Sequence, residues 1–305
     1  MAKDHTKKTD YVKVASYLFF EEYRKERSEE ISGVIYNKFI TLLYRDLKPE
    51  KDIKLPHCWY RWGDIVVSRG VPYVTWEHRS PEYTVVKWDG GTPEYDPNDR
   101  TVSLIRKNIA EFMVRHSGPE AHETAKDEVY ENAPFEFQKE YRKLRESLEL
   151  LSGSGIIENR TEYIGSLFDN AMKTFPKNEF GQISGERDKF ETIFKMGLRN
   201  NASSKDLFEF AELFWFFFCY HLRIHRKCHE NIPPEILNRW IEDIPWENMR
   251  MEHFLQNFAA KFRSGADDDP VVLALLEDWK ERMAELDDFF SLICSKDPPN
   301  KSGVV

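Results

Sequence analysis

The chain has 305 residues, of which 41% are hydrophobic and 14% are aromatic. This content of bulky groups excludes a disordered chain, because disordered chains cannot bury enough apolar surface to offset the entropy lost on folding. The formal net charge of −9 argues against general nucleic-acid binding, which depends on Lys and Arg side chains that neutralise phosphates.

The first half of the chain predicts helices around a short β-rich segment. One helix is expected over residues 10–30, and a second, with Ser28 as its N-cap, continues to about residue 47. Between residues 54 and 88, aromatic and β-branched residues interrupted by Gly and Pro predict two or three short strands. Further helices are then predicted over 101–116, from about 120 to Pro134, and over 135–151.

The sequence Ser152-Gly153-Ser154-Gly155 is typical of a flexible linker. We therefore expect an N-terminal α+β domain over residues 1–151, an all-helical domain over 156–295, and a disordered tail over 296–305. The fold class predicted for the whole chain is mostly α, with a small antiparallel sheet inserted in the first domain. Helices in the second domain are predicted over 161–175, 185–199, 203–229, 234–241, 248–263 and 269–295.

Cysteine usage and apolar segments predict a cytoplasmic protein. The four cysteines are scattered without an even framework, which fits a reducing compartment better than a disulfide scaffold. Residues 1–8 are polar and lack the apolar core of a signal peptide. The most apolar stretch, residues 213–220, is far shorter than the roughly 20 residues that a membrane span requires, so a buried helix is expected there.

Local catalytic motifs do not appear in the sequence. It contains neither a Gly-rich phosphate loop nor a Gly-x-Ser-x-Gly nucleophile motif. Cys58 follows His57, but adjacent residues on an extended strand point to opposite sides, so this histidine is poorly placed to activate that thiol. These observations favour a non-enzymatic protein, although a site assembled from distant residues leaves no local motif.

One candidate metal site lies near the end of the predicted helix 203–229. His221, His225 and Cys228 are spaced i, i+4 and i+7, and a His pair at this spacing can chelate zinc or another divalent cation. A complete tetrahedral site requires a fourth ligand. The alternative is that these side chains are half-buried at a helix C-terminus, where imidazolium interacts favourably with the helix dipole. The nearby cationic residues that would repel a metal are Arg223, Arg226 and Lys227.

An aromatic cluster in the β-rich segment is the candidate partner-binding site. In one interpretation these residues form the core of a small sheet, since large aromatic side chains dominate cores. In the other they form an exposed surface for a protein partner, or for stacking single-stranded nucleic acid. The residues assigned to partner binding are Trp59, Tyr60, Arg61, Trp62, Tyr73 and Trp76.

Two segments carry a resemblance to a known family. The stretch over residues 37–44, which contains Lys38 and Tyr44, and the stretch over residues 59–66 together resemble the Panacea (SocA-like) antitoxin domain. The chain has Gly63-Asp64 where that family usually has Gly-Pro. The resemblance covers roughly residues 30–150 and implies a helical interaction domain that neutralises a toxin by contact, or delivers it to a protease, without catalysis.

Two alternatives to this protein-interaction hypothesis remain open. The order of helices and strands over residues 10–116 also permits a winged-helix-like, DNA-associated regulator. A DNA-reading helix should be basic on its exposed face, whereas residues 28–47 offer only Lys38 and Arg45 against several acidic residues. The second alternative is a metal-dependent enzyme that uses His221 and His225.

Overall fold

The computed structural model describes residues 9–27, 30–49, 53–67, 71, 73–80, 83–118, 120–153 and 160–264. Several predicted features lie outside these residues. They are the proposed N-cap Ser28, the linker residues Ser154 and Gly155, the helix predicted over 269–295, and the tail predicted over 296–305.

The chain divides into two compact units, and the first of them combines helices with β-strands. Among the described residues it comprises those up to 58 and 64–129. The second unit comprises 59–63 and the described residues from 130 to 264. The division near residue 130 differs from the boundary predicted at 152–155, because the helix that precedes the Gly/Ser sequence belongs to the second unit. Ser152 and Gly153 themselves are helical.

The first part of the chain contains four helices and five strands in the described residues. They are α1 (Tyr11–Arg27), β1 (Ile31–Ser32), α2 (Gly33–Leu47), β2 (His57–Tyr60), β3 (Gly63–Val66), β4 (Val74–Ser80), β5 (Tyr83–Trp88), α3 (Arg100–Arg115) and α4 (Ala121–Glu131). β5 pairs antiparallel with β1 and with β4. The mostly α fold class with a small antiparallel β part is therefore confirmed.

The first helices begin and pack as their sequences dictate. Ser32, rather than Ser28, is the N-cap of α2, and its hydroxyl accepts a hydrogen bond from the Val34 backbone N–H. Stacked rings of Phe19 on α1 and Phe39 on α2, with centroids 4.0 Å apart, hold these two helices together. Phe112 of α3 packs edge-on against both rings, so three helices share one aromatic core.

The second unit is built mainly from helices. In chain order they are α5 (Glu136–Gly153), α6 (Arg160–Lys173), a short 3-10 helix (Gly181–Ile183), α7 (Ser184–Arg199), α8 (Ser204–Arg223) and α9 (Pro234–Ser264), with the two-residue strand β6 (His229–Glu230) between the last two. β6, β2 and β3 form a second three-stranded sheet in the order β3-β2-β6.

α8 is the central helix of the second unit. Most of its residues are buried, including the aromatic run Phe214–Phe218. Phe190 of α7 stacks on Phe214 with ring centroids 4.0 Å apart, and Phe210 stacks on Phe258 of α9 at 4.6 Å. The buried helix predicted for residues 213–220 is therefore confirmed. No helix in the described part of the chain is both long and apolar enough to cross a membrane.

Two predicted helix boundaries in this unit were wrong. α8 ends at Arg223 rather than at residue 229, and the chain then turns into β6. The helices predicted separately over 234–241 and 248–263 form the single helix α9, which contains Pro245 in its interior. Pro245 lies in the gap between the two predicted helices, and a proline inside a helix removes one backbone hydrogen bond.

Candidate partner-binding site

A buried ionic network lies in the first unit, where α2 meets the base of the β2–β3 hairpin. His57 Nδ1 lies 2.7 Å from Asp64 Oδ1, and the Arg45 guanidinium donates to Asp64 Oδ2 at 2.8 Å. The Lys38 ammonium donates to the backbone carbonyl of Asp64 at 3.2 Å. Burial by itself would raise the pKa of Asp64, but the hydrogen bond from His57 and the neighbouring positive charges lower it below its usual value.

This network contains residues that carry the family resemblance. Lys38 and Asp64 are buried in it, and the Tyr44 ring packs edge-on against His57 with centroids 5.1 Å apart. Cys58 is also fully buried. Apart from Arg45, whose side chain is 25% exposed, these groups are buried, and their arrangement stabilises the attachment of the hairpin base to α2.

The tip of the hairpin, residues 59–63, belongs to the second unit and comprises the end of β2, the turn Arg61–Trp62 and the first residue of β3. It is anchored there through Arg61. The backbone carbonyl of Arg61 accepts hydrogen bonds from the Trp215 indole N–H at 3.3 Å and the Tyr130 hydroxyl at 3.4 Å. Its guanidinium donates to Glu212 at 3.3 Å, and Arg145 pairs with the other oxygen of that carboxylate. The backbone and side chain of Arg61 are thus held by residues of α4 and α8, and Arg145 of α5 shares the Glu212 carboxylate with it.

Glu212 is the buried acid that makes this anchor strong. Burial by itself would raise the pKa of Glu212, but the charges of Arg145 and Arg61 and their hydrogen bonds lower it below its usual value. Buried carboxylates of this kind are stable only when their oxygens are paired, and removal of one partner from such a pair typically destabilises a protein by about 3–5 kcal/mol.

Trp62 extends from this anchored turn toward solvent. Its side chain is 38% exposed, and the Arg61 guanidinium lies 4.3 Å from the centroid of its ring. A cation above an indole face is attracted by the ring quadrupole, which restricts the orientation of the indole. The turn therefore presents the Trp62 indole to solvent beside Arg61, whose position is fixed by its hydrogen bonds.

The residues next to this pair form core contacts. Trp59 and Tyr60 are 4% and 2% exposed. The Trp59 ring meets Tyr130 edge-on at 5.6 Å, and Tyr60 meets Phe216 at 6.0 Å and Tyr220 at 6.4 Å. Trp59 and Tyr60, which were assigned to partner binding, are therefore buried at the end of β2 against residues of α4 and α8, and their part in partner binding stays a prediction.

Tyr73 and Trp76, which were also assigned to partner binding, belong to the first unit. Tyr73 is exposed, adopts a positive φ of 74°, and has the Lys13 ammonium 3.8 Å above its ring. Trp76 is partly buried and meets Tyr36 edge-on at 5.9 Å. A side chain at Gly90 would collide with Tyr73 and Trp88, so glycine allows this close packing. The six predicted residues are thus divided between two units.

The metal site predicted at His221, His225 and Cys228 is not assembled on one helix face, because α8 ends before His225. His221 Nε2 lies 3.0 Å from Asn248 Oδ1, and burial lowers the pKa of His221 to about 4. His225 Nε2 lies 3.1 Å from Glu179, while Cys228 Sγ lies 4.0 Å from His225 Nδ1. Within the described residues, no group of three or more His, Cys, Asp and Glu side chains is placed to hold a metal ion. Metal binding here stays a prediction.

An exposed apolar surface on α9 did not emerge from the sequence. Ile241, Trp246 and Met249 are all exposed on the middle of this helix. The sequence analysis predicted separate helices over 234–241 and 248–263, which assigned Ile241 to one helix and Met249 to another. Treating 234–264 as one continuous helix would have placed Trp246 and Met249 on a common face, because residues three apart are neighbours on a helix surface.

These features define, in the described residues, a mostly helical protein with two small three-stranded sheets, an anchored Arg–Trp turn and an exposed stripe on the longest described helix. Comparison with protein-family models, curated proteins and solved structures gives no match to this chain.

Proposed function

We propose that this chain is a non-enzymatic, regulatory interaction protein that binds a protein partner through the Arg61–Trp62 turn. The observation that carries the proposal is the combination of an exposed indole at Trp62 with an immobilised neighbour at Arg61. Trp and Arg are the residue types most enriched at binding hot spots.

The anchoring of the turn favours binding energetically. Association loses free energy when interface side chains and loops must be ordered, so a loop fixed in advance loses less. In the second unit, Arg61 is held through its carbonyl, its charge and its contact with the Phe216 ring at 5.3 Å. A partner that covers Trp62 would therefore gain its apolar burial without having to order the turn.

The resemblance to the antitoxin family adds a partner class to this proposal. It implies a toxin-like protein, met in the cytoplasm. A small toxin-like reading frame beside the gene would support this identity, and its absence would leave another regulatory partner. The proposed binding through Trp62 does not depend on whether the partner is a toxin.

The test compares Trp62→Ala with Tyr163→Ala, which removes another exposed aromatic ring of the second unit. The partner is first identified by affinity purification and mass spectrometry from the native cells, and its affinity for each purified variant is then measured by calorimetry. We expect Trp62→Ala to raise the dissociation constant by about 30-fold or more, as hot-spot truncations do. Equal affinity for Trp62→Ala and the unmodified chain would refute the turn as the binding site.

The two alternatives receive no specific support from side-chain placement. Lys38 is buried and Arg45 pairs with Asp64, so the two cations of α2 that could have met phosphates are engaged. A salt-dependent mobility shift with duplex DNA remains the test of the DNA-associated regulator. Metal analysis of the purified protein tests the metal-dependent enzyme.

A further inference from the structure

α9 carries a second stripe of side chains, on the face opposite its buried one. Trp240, Phe254 and Phe258 are buried and pack α9 into the second unit. The second stripe consists of exposed residues spaced alternately by three and four positions, and it is called the α9 seam below. Its members are Arg239, Glu242, Trp246, Met249, His253 and Gln256.

This spacing is typical of helices that pair with another helix. An average repeat of 3.5 residues keeps a stripe facing a partner helix along its length. At the centre of the seam, Trp246 is 66% exposed and Met249 is 60% exposed. Large apolar side chains clustered on a surface, with polar residues on both sides, mark an interaction site.

We propose that the α9 seam pairs with the α9 seam of a second copy of this chain, in antiparallel orientation about a two-fold axis. The axis would pass midway between Trp246 and Met249. Each Trp246 then faces Met249 of the second copy, and each Glu242 faces His253 of the second copy. This inference is independent of the function proposed for Trp62.

The order of residue types along the seam is what selects a second copy as the occupant. An interface about a two-fold axis must be complementary to itself. The seam meets this condition, because its carboxylate and its imidazole lie at equal distances from the central Trp–Met pair. An imidazole retains at least one N–H donor in either protonation state. Thioether sulfur also packs favourably against aromatic rings. A parallel arrangement would instead place Glu242 against Glu242.

The length of the seam indicates a reversible dimer. From Arg239 to Gln256 it extends about 26 Å at the usual helical rise of about 1.5 Å per residue. Two helices in contact over this length bury an area at the lower end of the range for specific interfaces, roughly 1,200 Å² in total. Association is therefore expected to depend on concentration.

Sedimentation equilibrium of the full chain over about 1–200 µM, the range suited to small interfaces, tests the proposal. The unmodified chain should dimerise. Trp246→Glu should raise the dissociation constant by about 100-fold or more, because the substitution occurs twice in a two-fold interface. Tyr163→Glu, at a 52% exposed aromatic of α6 in the same unit, should leave it unchanged. The double variant Trp246→Glu/Met249→Lys should recover dimerisation, because it places unlike charges opposite each other.

A cysteine pair tests the register. In a Cys294→Ser background, the variant Glu242→Cys/His253→Cys should give a covalent dimer on mild oxidation. These two positions lie about 17 Å apart along one helix, too far for a disulfide within the chain. Either cysteine alone should give no dimer in this register.

Three outcomes would overturn the inference. The first is an unmodified chain that is monomeric at every concentration measured. Residues 265–305 of the same chain, or a different protein, would then be the occupant of the seam. The second is a dissociation constant for the Trp246→Glu dimer equal to that of the unmodified chain. The third is cross-linking of either single-cysteine variant as efficiently as of the Glu242→Cys/His253→Cys variant. None of these results bears on Trp62, which lies outside the seam.

Discussion

Asp64 is a buried carboxylate whose partners come from α2 and from the first residue of β2. Its oxygens are shared between His57 and Arg45, so each partner depends on its negative charge. We expect Asp64→Asn to destabilise the first unit by about 3–5 kcal/mol at neutral pH, as for the loss of one member of a buried ion pair. Hydrogen exchange of the α2 and β2 amides measures this effect locally.

The pH dependence of Asp64 has a definite sign. Its pKa is lowered in the folded protein, so its contribution is complete above the unfolded value of about 3.9 and decreases as the pH falls through the lowered folded value. The stability difference between the unmodified chain and Asp64→Asn should therefore shrink in acid. Asp46→Asn on the same helix is the control, because the pKa of Asp46 is raised, mainly by burial. A constant difference down to about pH 2 would contradict this account.

Truncation of Tyr60 should destabilise the protein far more than truncation of Trp62, although only one residue separates them. Tyr60→Ala should destabilise the second unit by about 3–5 kcal/mol, since it leaves a cavity among aromatic rings. Trp62→Ala removes a partly exposed ring and should change stability by less than about 1 kcal/mol. Chemical denaturation of both variants compares them directly. Similar losses would show that Trp62 is structural. Tyr60→Ala alone is unsuitable for testing partner binding.

α9 is an element whose continuity depends on packing rather than on local preference. Pro245 lies inside it on the exposed side. An interior proline typically costs about 3 kcal/mol relative to alanine, partly offset by about 0.4–1 kcal/mol because proline restricts the unfolded chain. Pro245→Ala should therefore stabilise α9, slowing hydrogen exchange of its amides by about tenfold or more.

Pro234 provides a matched control for that substitution, because it occupies the first position of the same helix. Proline is well tolerated at a helix start, where its missing N–H would have no helical partner. Pro234→Ala should therefore give no comparable stabilisation. Equal exchange rates in Pro245→Ala and the unmodified chain would show that the helix already accommodates the proline without loss.

Helices with one clear apolar face could be predicted from the sequence, and so could the β-rich segment. α3 and α7 match their predicted ranges to within one residue at each end, because local spacing and terminal signals agree with their packing, whereas α1 ends at Arg27 rather than at residue 30. α9 was predicted as two helices on either side of Pro245, and the contacts of Phe254 and Phe258 that pack the continuous helix are not visible in the local sequence. The same limit applies to α8, whose end at Arg223 leads into the short strand β6.

The candidate site was predictable by residue type but not by exposure. Four adjacent residues, 59–62, contain three aromatic rings, and their sequence gives no indication of which are covered. Burial of Trp59 and Tyr60 is decided by Tyr130, Phe216 and Tyr220, which are far away in sequence. The acid that fixes Arg61 lies 151 positions later in the chain. Such long-range pairs leave no periodic signal.

At the scale of the whole molecule, the chain enters the second unit twice. It does so first for residues 59–63 and again from residue 130. No single cut therefore separates the two units. Within the second unit, two residues of the segment 59–63 bond to the later part of the chain. The Arg61 guanidinium donates to the Glu212 carboxylate, and the Trp59 backbone N–H donates to the Cys228 carbonyl at 2.7 Å. The later segment by itself would lack Arg61, one of the two arginines that pair with Glu212.

Expression of residues 1–129 and 130–305 as two polypeptides tests this topology. We expect them to copurify in equal amounts, because the second unit is complete only when residues 59–63 are supplied. Arg61→Ala in the first polypeptide should weaken the association by about 10–100-fold, since it removes one partner of a buried carboxylate. Arg79→Ala is the control, because Arg79 pairs with exposed Glu30 within the first unit. Two separately folded, non-associating polypeptides would contradict the division of the chain described here.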